Sequence, residues 1–389
     1  MGSNLMRSLI CTLCLLFPAA AAIGQGFETT APVAVLMDAQ SGTILFEKNA
    51  REPIPPASMT KIMTLYMVFE RLKSGALTLD DEFTVSDDAW RRGGFRSGSS
   101  TMCLNPNERV RVEDLIRGVI VLSGNDAAIT LAENISGSEA AFAQAMTKRA
   151  HELGLASVNF LNSTGWPAEG HVISGLDLAR LARMSAQDFP EYYAYYGEKE
   201  FGWCKAAPSN RFNRNPLLSL VAGADGLKTG HTNEAGYGLV GSAVRDGKRR
   251  IVVISGLRSN RDRSRQSERL LRAAFREFDV KELFVPDAPI GKIDVFLGTQ
   301  KTVSVGVKQT VQFGVFKPQI RDVKAEIIYQ GPVSAPIEQG QKIAILRLTS
   351  PDRPPVEIDL FALESVAKKG FFSRVITGLV RFIQGSGKE

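Results

Sequence analysis

The sequence predicts an α/β (α+β) protein. A central antiparallel sheet, assembled from the two ends of one domain around a large helical insert, is followed by a small all-β domain and a C-terminal amphipathic helix. Three observations carry this. Two pairs of β-forming runs stand far apart, at 33–47 and 236–254. The long stretch between them repeats its apolar residues at helical spacing. Beyond Val285-Pro286-Asp287-Ala288-Pro289, short alternating runs are punctuated by turn residues, the pattern of a small sandwich or barrel.

The elements follow in order. At the N-terminus, Arg7 precedes an apolar run from Leu9 to Phe17, then Pro18 and the small residues Ala19–Ala22. This reads as a secretory signal over residues 1–24, with cleavage on either side of Ile23. The run is short for a bilayer span, which needs ~20 residues, so an uncleaved anchor is the weaker reading. Val33–Met37 and Thr43–Glu47 flank a polar, Gly-containing turn, as in a hairpin. Helical spacing then marks Ile62–Leu72, Val112–Leu122 and Ala140–Leu153. Gly236–Ala243 and Arg250–Ile254, joined through Asp246-Gly247, form a second hairpin, and Ser267–Phe278 reads as a helix. The first domain therefore spans 25–284 and the all-β domain 285–362, with strands expected at Ile293–Phe296, Lys301–Val307, Thr310–Gly314, Val323–Tyr329, Lys342–Thr349 and Val356–Leu360.

The terminal segment, 363–389, is assigned to an amphipathic helix. At 100° per residue, Phe371, Phe372, Val375, Ile376, Leu379, Val380, Phe382 and Ile383 share one half of the wheel. Lys368, Lys369, Arg374, Arg381 and Lys388 flank or face it, with no acidic residue among them. Too short to span a bilayer, such a helix lies in the interface with its apolar face down. Docking on the protein's own core is the competing reading.

Composition narrows the function classes. The 389 residues are 44% apolar and 23% charged, as in a globular protein with ample chain for a core. A net charge of +6 is too mild to indicate nucleic acid, and the basic residues are not interleaved with aromatics on one stripe. His151, His171 and His231 are widely spaced and form no metal-binding pattern, and no phosphate loop or dinucleotide fingerprint occurs, so neither metal nor cofactor is expected. His151, near a helix end, and His171, in a loop near Trp166, read as surface or packing residues. Of the four cysteines, Cys11 and Cys14 lie in the signal. Cys103 and Cys204 are able to pair in an oxidising compartment or to remain two buried thiols; the sequence leaves both open.

Three short motifs carry the chemistry: Ser58-Met59-Thr60-Lys61, Ser123-Gly124-Asn125 and Lys228-Thr229-Gly230, the last followed by His231-Thr232. A serine hydroxyl is a weak nucleophile at neutral pH and needs a base. Helix positions i and i+3 share a face, so Lys61 points its amine toward the Ser58 oxygen. The amine is a base only if burial and nearby positive charge lower its pKa, and Lys228 is the expected source of that charge. Pro55-Pro56 places Ser58 near a first helical turn, where free N–H groups favour developing negative charge. Ser123 offers a hydroxyl to relay a proton, and Asn125 an amide to orient Lys61 or a substrate carbonyl. The glycine of the third motif lets substrate backbone approach a strand. Each triplet is common alone; together, in this order, they form a known signature set.

With these motifs the chain resembles the D-alanyl-D-alanine carboxypeptidases, the low-molecular-mass penicillin-binding proteins. Met37–Gly42, Pro55–Thr64, Ser123–Ala128, Phe212-Asn213-Arg214-Asn215 and Asp225–Thr232 carry the likeness, from about Ala31 to Phe284, and more loosely through the β domain to the C-terminal helix. The resemblance implies a penicillin-binding/β-lactamase-like transpeptidase fold and a serine carboxypeptidase acting on peptidoglycan stem peptides, acylated by β-lactams. It implies that Ser58 is acylated, Lys61 is the general base, Ser123 and Asn125 line the opposite wall, and Lys228 holds Ser123. The backbone N–H groups of Ser58 and His231 would form the oxyanion hole. Arg214, with Lys228, Thr229, Gly230 and Thr232, would bind substrate, the arginine near its terminal carboxylate. Arg263 also lies near a family arginine, but the basic run Arg258–Arg269 reads better as a solvated loop before a helix. Together with the two chain ends, the resemblance implies a periplasmic enzyme peripherally anchored to the outer face of the cytoplasmic membrane.

Three rivals remain at this level. A D,D-endopeptidase would use the same chemistry. A class A β-lactamase would need a deacylating glutamate, and the loop Asn162–His171 offers Glu169 without the expected surroundings. A tethered wall-binding protein would leave the complete polar set without a purpose.

Overall fold

The computed structural model describes residues 27–351 and 353–370, so the secretory signal and the amphipathic segment from Phe371 lie outside the described residues. The central sheet has five antiparallel strands, in the spatial order Ile44–Lys48, Val33–Asp38, Lys248–Leu257, Gly236–Arg245, Ala224–Thr232. The two expected hairpins thus meet through Val33–Asp38 and Lys248–Leu257, with Ala34 opposite Ile254. Alternation along the strands sorts side chains into two cores. Val35, Met37, Val240, Ile251 and Val253 face the helical insert, whereas Ala34, Leu36, Leu239, Val252 and Ile254 face the helix Asn260–Arg276.

The insert is organised around the helix Lys61–Lys73, which is buried along most of its length. Such a helix is apolar on nearly all sides and stands at the centre of its neighbours. Around it lie Val112–Ile120, Asn125–Ser136, Glu139–Glu152 and Gly175–Asp188. Phe69 is fully buried there, stacked on Tyr192 at 5.5 Å and tilted against Phe189 at 5.9 Å.

Three expected boundaries move. The helix predicted from Ser267 starts at Asn260, because Ser259 caps it by accepting the Asp262 N–H at 3.0 Å. Phe278, read as its last residue, opens a strand, Phe278–Phe284, that pairs with Val311–Phe316. At the other end, residues 363–370, assigned above to the terminal helix, continue the β domain: Val366 bridges Ile337 and is buried, and Lys368 bridges Gly298.

The β domain holds a six-stranded sheet, ordered Lys324–Ile328, Lys342–Ser350, Arg353–Ala362, Thr302–Gly306, Gly291–Phe296, Val333–Ser334, beside the two-stranded pair. One core unites them, built from Ile293, Val305, Phe313, Leu346 and Leu360 among others. It abuts the first domain closely at Gly314, where a Cβ would lie 2.4 Å from the Ile44 carbonyl oxygen.

The structure joins Cys103 to Cys204 in a disulfide with a Cα–Cα distance of 5.2 Å. The sequence alone had left two free thiols equally open.

Phe69→Ala should remove a large ring from the centre of the insert and cost about 3–5 kcal/mol. Chemical denaturation measures this; an unchanged midpoint would contradict the central placement of the helix.

Candidate active site

Ser58 and Lys61 sit where a short 3₁₀ turn, Ala57–Thr60, runs into the helix Lys61–Lys73. In a 3₁₀ turn residues i and i+3 eclipse, so the two side chains share a face. Ala57 takes a left-handed φ of +48°, which turns the chain sharply into this element. Lys61 Nζ lies 3.1 Å from Ser58 Oγ, 2.6 Å from Asn125 Oδ1 and 2.6 Å from the Thr164 carbonyl oxygen. Lys61 is fully buried and Ser58 half-buried at the floor of a cleft.

The cleft, about 260 Å³, is lined by Ser58, Ser100, Ser123, Arg214, Thr229, Gly230, His231, Tyr237, Asn260 and Arg263. The structure therefore brings parts of all three motifs together. Ser123 is delivered by a left-handed residue, φ +57°, between the helices Val112–Ile120 and Asn125–Ser136. Lys228 to Thr232 lie on the sheet's edge strand. Lys228 is buried, and its Nζ donates to the Thr229 carbonyl at 3.2 Å; among the described residues no hydrogen bond joins it to Ser123. Thr232 does not line the cleft, and its hydroxyl accepts the Ala235 N–H at 3.0 Å. His231 lies at the exposed rim, stacked on Tyr237 at 3.8 Å.

Gly230 has a packing reason besides the one expected. A Cβ there would lie 2.9 Å from the Pro56 carbonyl oxygen and 3.2 Å from Ala57 Cβ. The glycine thus lets the edge strand close on the turn bearing Ser58. Its neighbour across the sheet, Gly238, does the same for Met59, whose Cε would stand 2.8 Å from an added Cβ.

Burial is the main cause that lowers Lys61 from 10.5 to about 7, with Arg214 second; the carboxylates of Glu139 and Asp126 oppose it. The expected charge from Lys228 is thus supplied by Arg214. The reason is that Lys228 is itself pushed well below its ordinary value, by burial first and then by Lys61, Arg214 and Arg263. Two buried amines near two guanidiniums cannot all hold their protons cheaply.

Sequence reasoning missed several residues. Arg263, read as solvated, is buried on the first turns of Asn260–Arg276, lines the cleft, faces the Tyr237 ring at 5.6 Å and donates to Asn260 Oδ1 at 2.6 Å. Burial lowers it to about 10. The cap Ser259-x-x-Asp262 was the available signal: it starts the helix early and puts Arg263, Gln266 and Leu270 on one inward face. The Thr164 carbonyl was also missed. Asn162 Oδ1 holds that loop by accepting the N–H groups of Thr164, Gly165 and Trp166, at 3.2, 2.7 and 3.1 Å. Thr64 Oγ1 donates to the Ser163 carbonyl at 2.7 Å, and Glu139 accepts from Ser163 N and Oγ. His171, read as packing, is buried beneath this loop: its Nδ1 accepts the Leu161 N–H at 3.0 Å, and Nε2 meets Thr60 Oγ1 at 2.9 Å. His151 meets the Val158 carbonyl at 2.9 Å, also a structural role.

Against this geometry, comparison with known proteins is decisive. A family described as "D-alanyl-D-alanine carboxypeptidase" matches residues 19–259, and one described as "Penicillin-binding protein 5, C-terminal domain" matches residues 278–368. The chain belongs to the D-alanyl-D-alanine carboxypeptidase family. Within it, the chain is 37% identical to D-alanyl-D-alanine carboxypeptidase DacC of Escherichia coli, over 96% of this chain and 95% of that one. Among solved structures, D-alanyl-D-alanine carboxypeptidase DacD from Francisella tularensis aligns with a TM-score of 0.72 and 30% identity, covering 91% of this chain and 100% of that one. Penicillin-binding protein 5 from Haemophilus influenzae gives 0.66 and 34%, over 88% and 99%. Members of this family are serine D-Ala-D-Ala carboxypeptidases, hydrolases of the penicillin-binding type, and this chain is one of them.

Gly165 takes φ +83°, and a Cβ on it would fall 1.8 Å from the Ala57 carbonyl oxygen. Gly165→Ala should push the Thr164 loop off the Ser58 turn, cost about 2–4 kcal/mol of stability and lower turnover at least about tenfold. Melting and D-alanine release check this; a variant matching wild type in both would show the contact is dispensable.

Proposed function

We propose that the chain removes the terminal D-alanine of peptidoglycan stem peptides through an acyl-enzyme on Ser58. The arrangement around Lys61 carries this reading. A neutral amine has two N–H donors and one lone pair. Asn125 Oδ1 and the Thr164 carbonyl take the donors, which leaves the lone pair for the Ser58 hydroxyl. Lys61 accepts the Ser58 proton as Oγ attacks the carbonyl of the penultimate D-alanine. The backbone N–H groups of Ser58 and His231 stabilise the oxyanion. Ser123 passes the proton to the departing D-alanine nitrogen, the C–N bond breaks, and water then hydrolyses the ester and frees Ser58.

The terminal carboxylate is met by Arg214, with Thr229 and Gly230 beside it and the Lys228 amine as a further N–H donor behind them. Arg263, on the same wall, supplies a second guanidinium. β-Lactams present the same amide-plus-carboxylate pattern and acylate Ser58. Glu169 is exposed and outside the cleft, which disfavours a β-lactamase that relies on it for deacylation. We further propose export by residues 1–24, work in the periplasm, and a peripheral hold on the cytoplasmic membrane through the C-terminal amphipathic segment, on the sequence grounds given above.

The test is release of D-alanine from a pentapeptide ending in D-Ala-D-Ala, with cross-linked muropeptides as the competing substrate. Ser58→Ala should lose release and labelling by a fluorescent penicillin by at least about 10³-fold; a variant that still labels would refute the assignment. In the wild type, kcat/KM should fall about tenfold per pH unit below about 7, because acid protonates Lys61, and level off above it. A profile flat from pH 5 to about 8 would exclude Lys61 as the base.

A further inference from the structure

The disulfide joins two segments that each give a residue to the cleft, Ser100 from one and Arg214 from the other. Cys103 belongs to the segment Ser99–Leu104, which has no helix or strand of its own. The buried carboxylate of Asp126 pins that segment: it accepts from Thr101 Oγ1 at 2.6 Å, Met102 N at 2.8 Å and Leu104 N at 3.0 Å. Ser100, within it, lines the cleft, and its carbonyl accepts the Asn125 N–H at 2.8 Å.

Cys204 belongs to an arm, 198–215, that leaves the helical insert and returns. Its two sides are tied to each other by Phe201 N to the Arg211 carbonyl and Asn213 N to the Lys199 carbonyl, both 2.8 Å. Arg214 stands at the returning base of this arm. Its guanidinium donates to Ser100 Oγ at 2.5 Å and to the Leu122 carbonyl at 3.0 Å. Asn210 adds one bond, to the Thr101 carbonyl at 2.9 Å. The bridge is the covalent tie between the pinned segment and the arm, across 101 residues of sequence.

We propose that the Cys103–Cys204 bridge is a positioning element of substrate binding: it holds the Arg214 arm against the Ser100 segment, so its loss weakens capture of the substrate's terminal carboxylate and leaves the Ser58–Lys61 chemistry in place. Arginine recognition of a carboxylate is directional, and a loosened arm spreads the guanidinium over many orientations. The Ser58, Lys61 and Thr164 contacts belong to other elements, and burial, the main cause that lowers Lys61, lies outside the arm; only the smaller repulsion from Arg214 passes through it, and alkaline pH removes the effect of that repulsion on the base. The inference rests on the carboxypeptidase reading above.

The experiment compares wild type with the Cys103→Ser/Cys204→Ser double variant in D-alanine release from a D-Ala-D-Ala pentapeptide at about pH 9, where Lys61 is neutral with or without the repulsion from Arg214. Amide hydrogen exchange is followed over 198–215 and over the Ser58 turn. KM should rise about tenfold, the scale of one charge-assisted contact, with kcat within about threefold. Exchange should quicken in the arm only. A folded double variant with wild-type KM, or one that loses kcat at constant KM, overturns the proposal. If the variant does not fold, folded wild type is treated with tris(2-carboxyethyl)phosphine. The phosphine and one water become the phosphine oxide as the disulfide takes up two electrons and two protons to give two thiols. The same kinetic split decides. Wild type that releases no D-alanine overturns the carboxypeptidase reading and this one with it; wild type that does, beside an unaltered variant, overturns this one alone.

Discussion

Everything at this site depends on one amine kept out of water. Lys61 is fully buried with Asn125 and the Thr164 carbonyl on two sides and Ser58 on the third. An ammonium in that position loses its hydration, and Arg214 adds repulsion. Both favour the neutral form, whose free electron pair then has one place to point. The carboxylates of Glu139 and Asp126 work in the opposite direction, and this balance keeps the amine near neutrality without driving it far below. Such tuning is how a lysine becomes a base for a hydroxyl at ordinary pH.

The fold exists to hold that amine against groups that are remote in sequence. The helix Lys61–Lys73 is threaded through the middle of the insert, so its first residue has no route to solvent. Three glycines then let backbone close on the turn before it. Gly230 admits the edge strand, Gly238 on the next strand leaves room for the Met59 side chain of that turn, and Gly165 admits the loop that carries the Thr164 carbonyl. A Cβ on Gly230 or Gly165 would meet the carbonyl oxygen of Pro56 or of Ala57 and force the backbone beside Ser58 to shift. The opposite wall is built from looser chain, fixed by the Asp126 carboxylate and a covalent bridge.

The architecture and the motif residues were legible in the sequence because both rest on local patterns. Alternation gave the hairpins, helical spacing gave Lys61–Lys73 and Glu139–Glu152 nearly to the residue, and the i, i+3 rule put Lys61 beside Ser58. What escaped was whatever acts through the main chain or across long separations. Thr164 contributes a carbonyl, which no residue type announces, although Asn162-Ser-Thr-Gly was a turn signal. The roles of Arg263 and Arg214 depended on a helix start seven residues earlier than the apolar spacing suggested, and on which of four cations keeps its charge. The pairing of Cys103 with Cys204 needed a distance.

The most direct test reads the protonation of that amine itself. Protein labelled with carbon-13 at lysine Cε, with the Lys61 signal identified by its absence in Lys61→Arg, should show that resonance titrating at about 7. A Lys61 signal that titrates near 10.5, the value of an ordinary lysine, would mean an ammonium at neutral pH, unable to take a proton from Ser58, and would contradict the account.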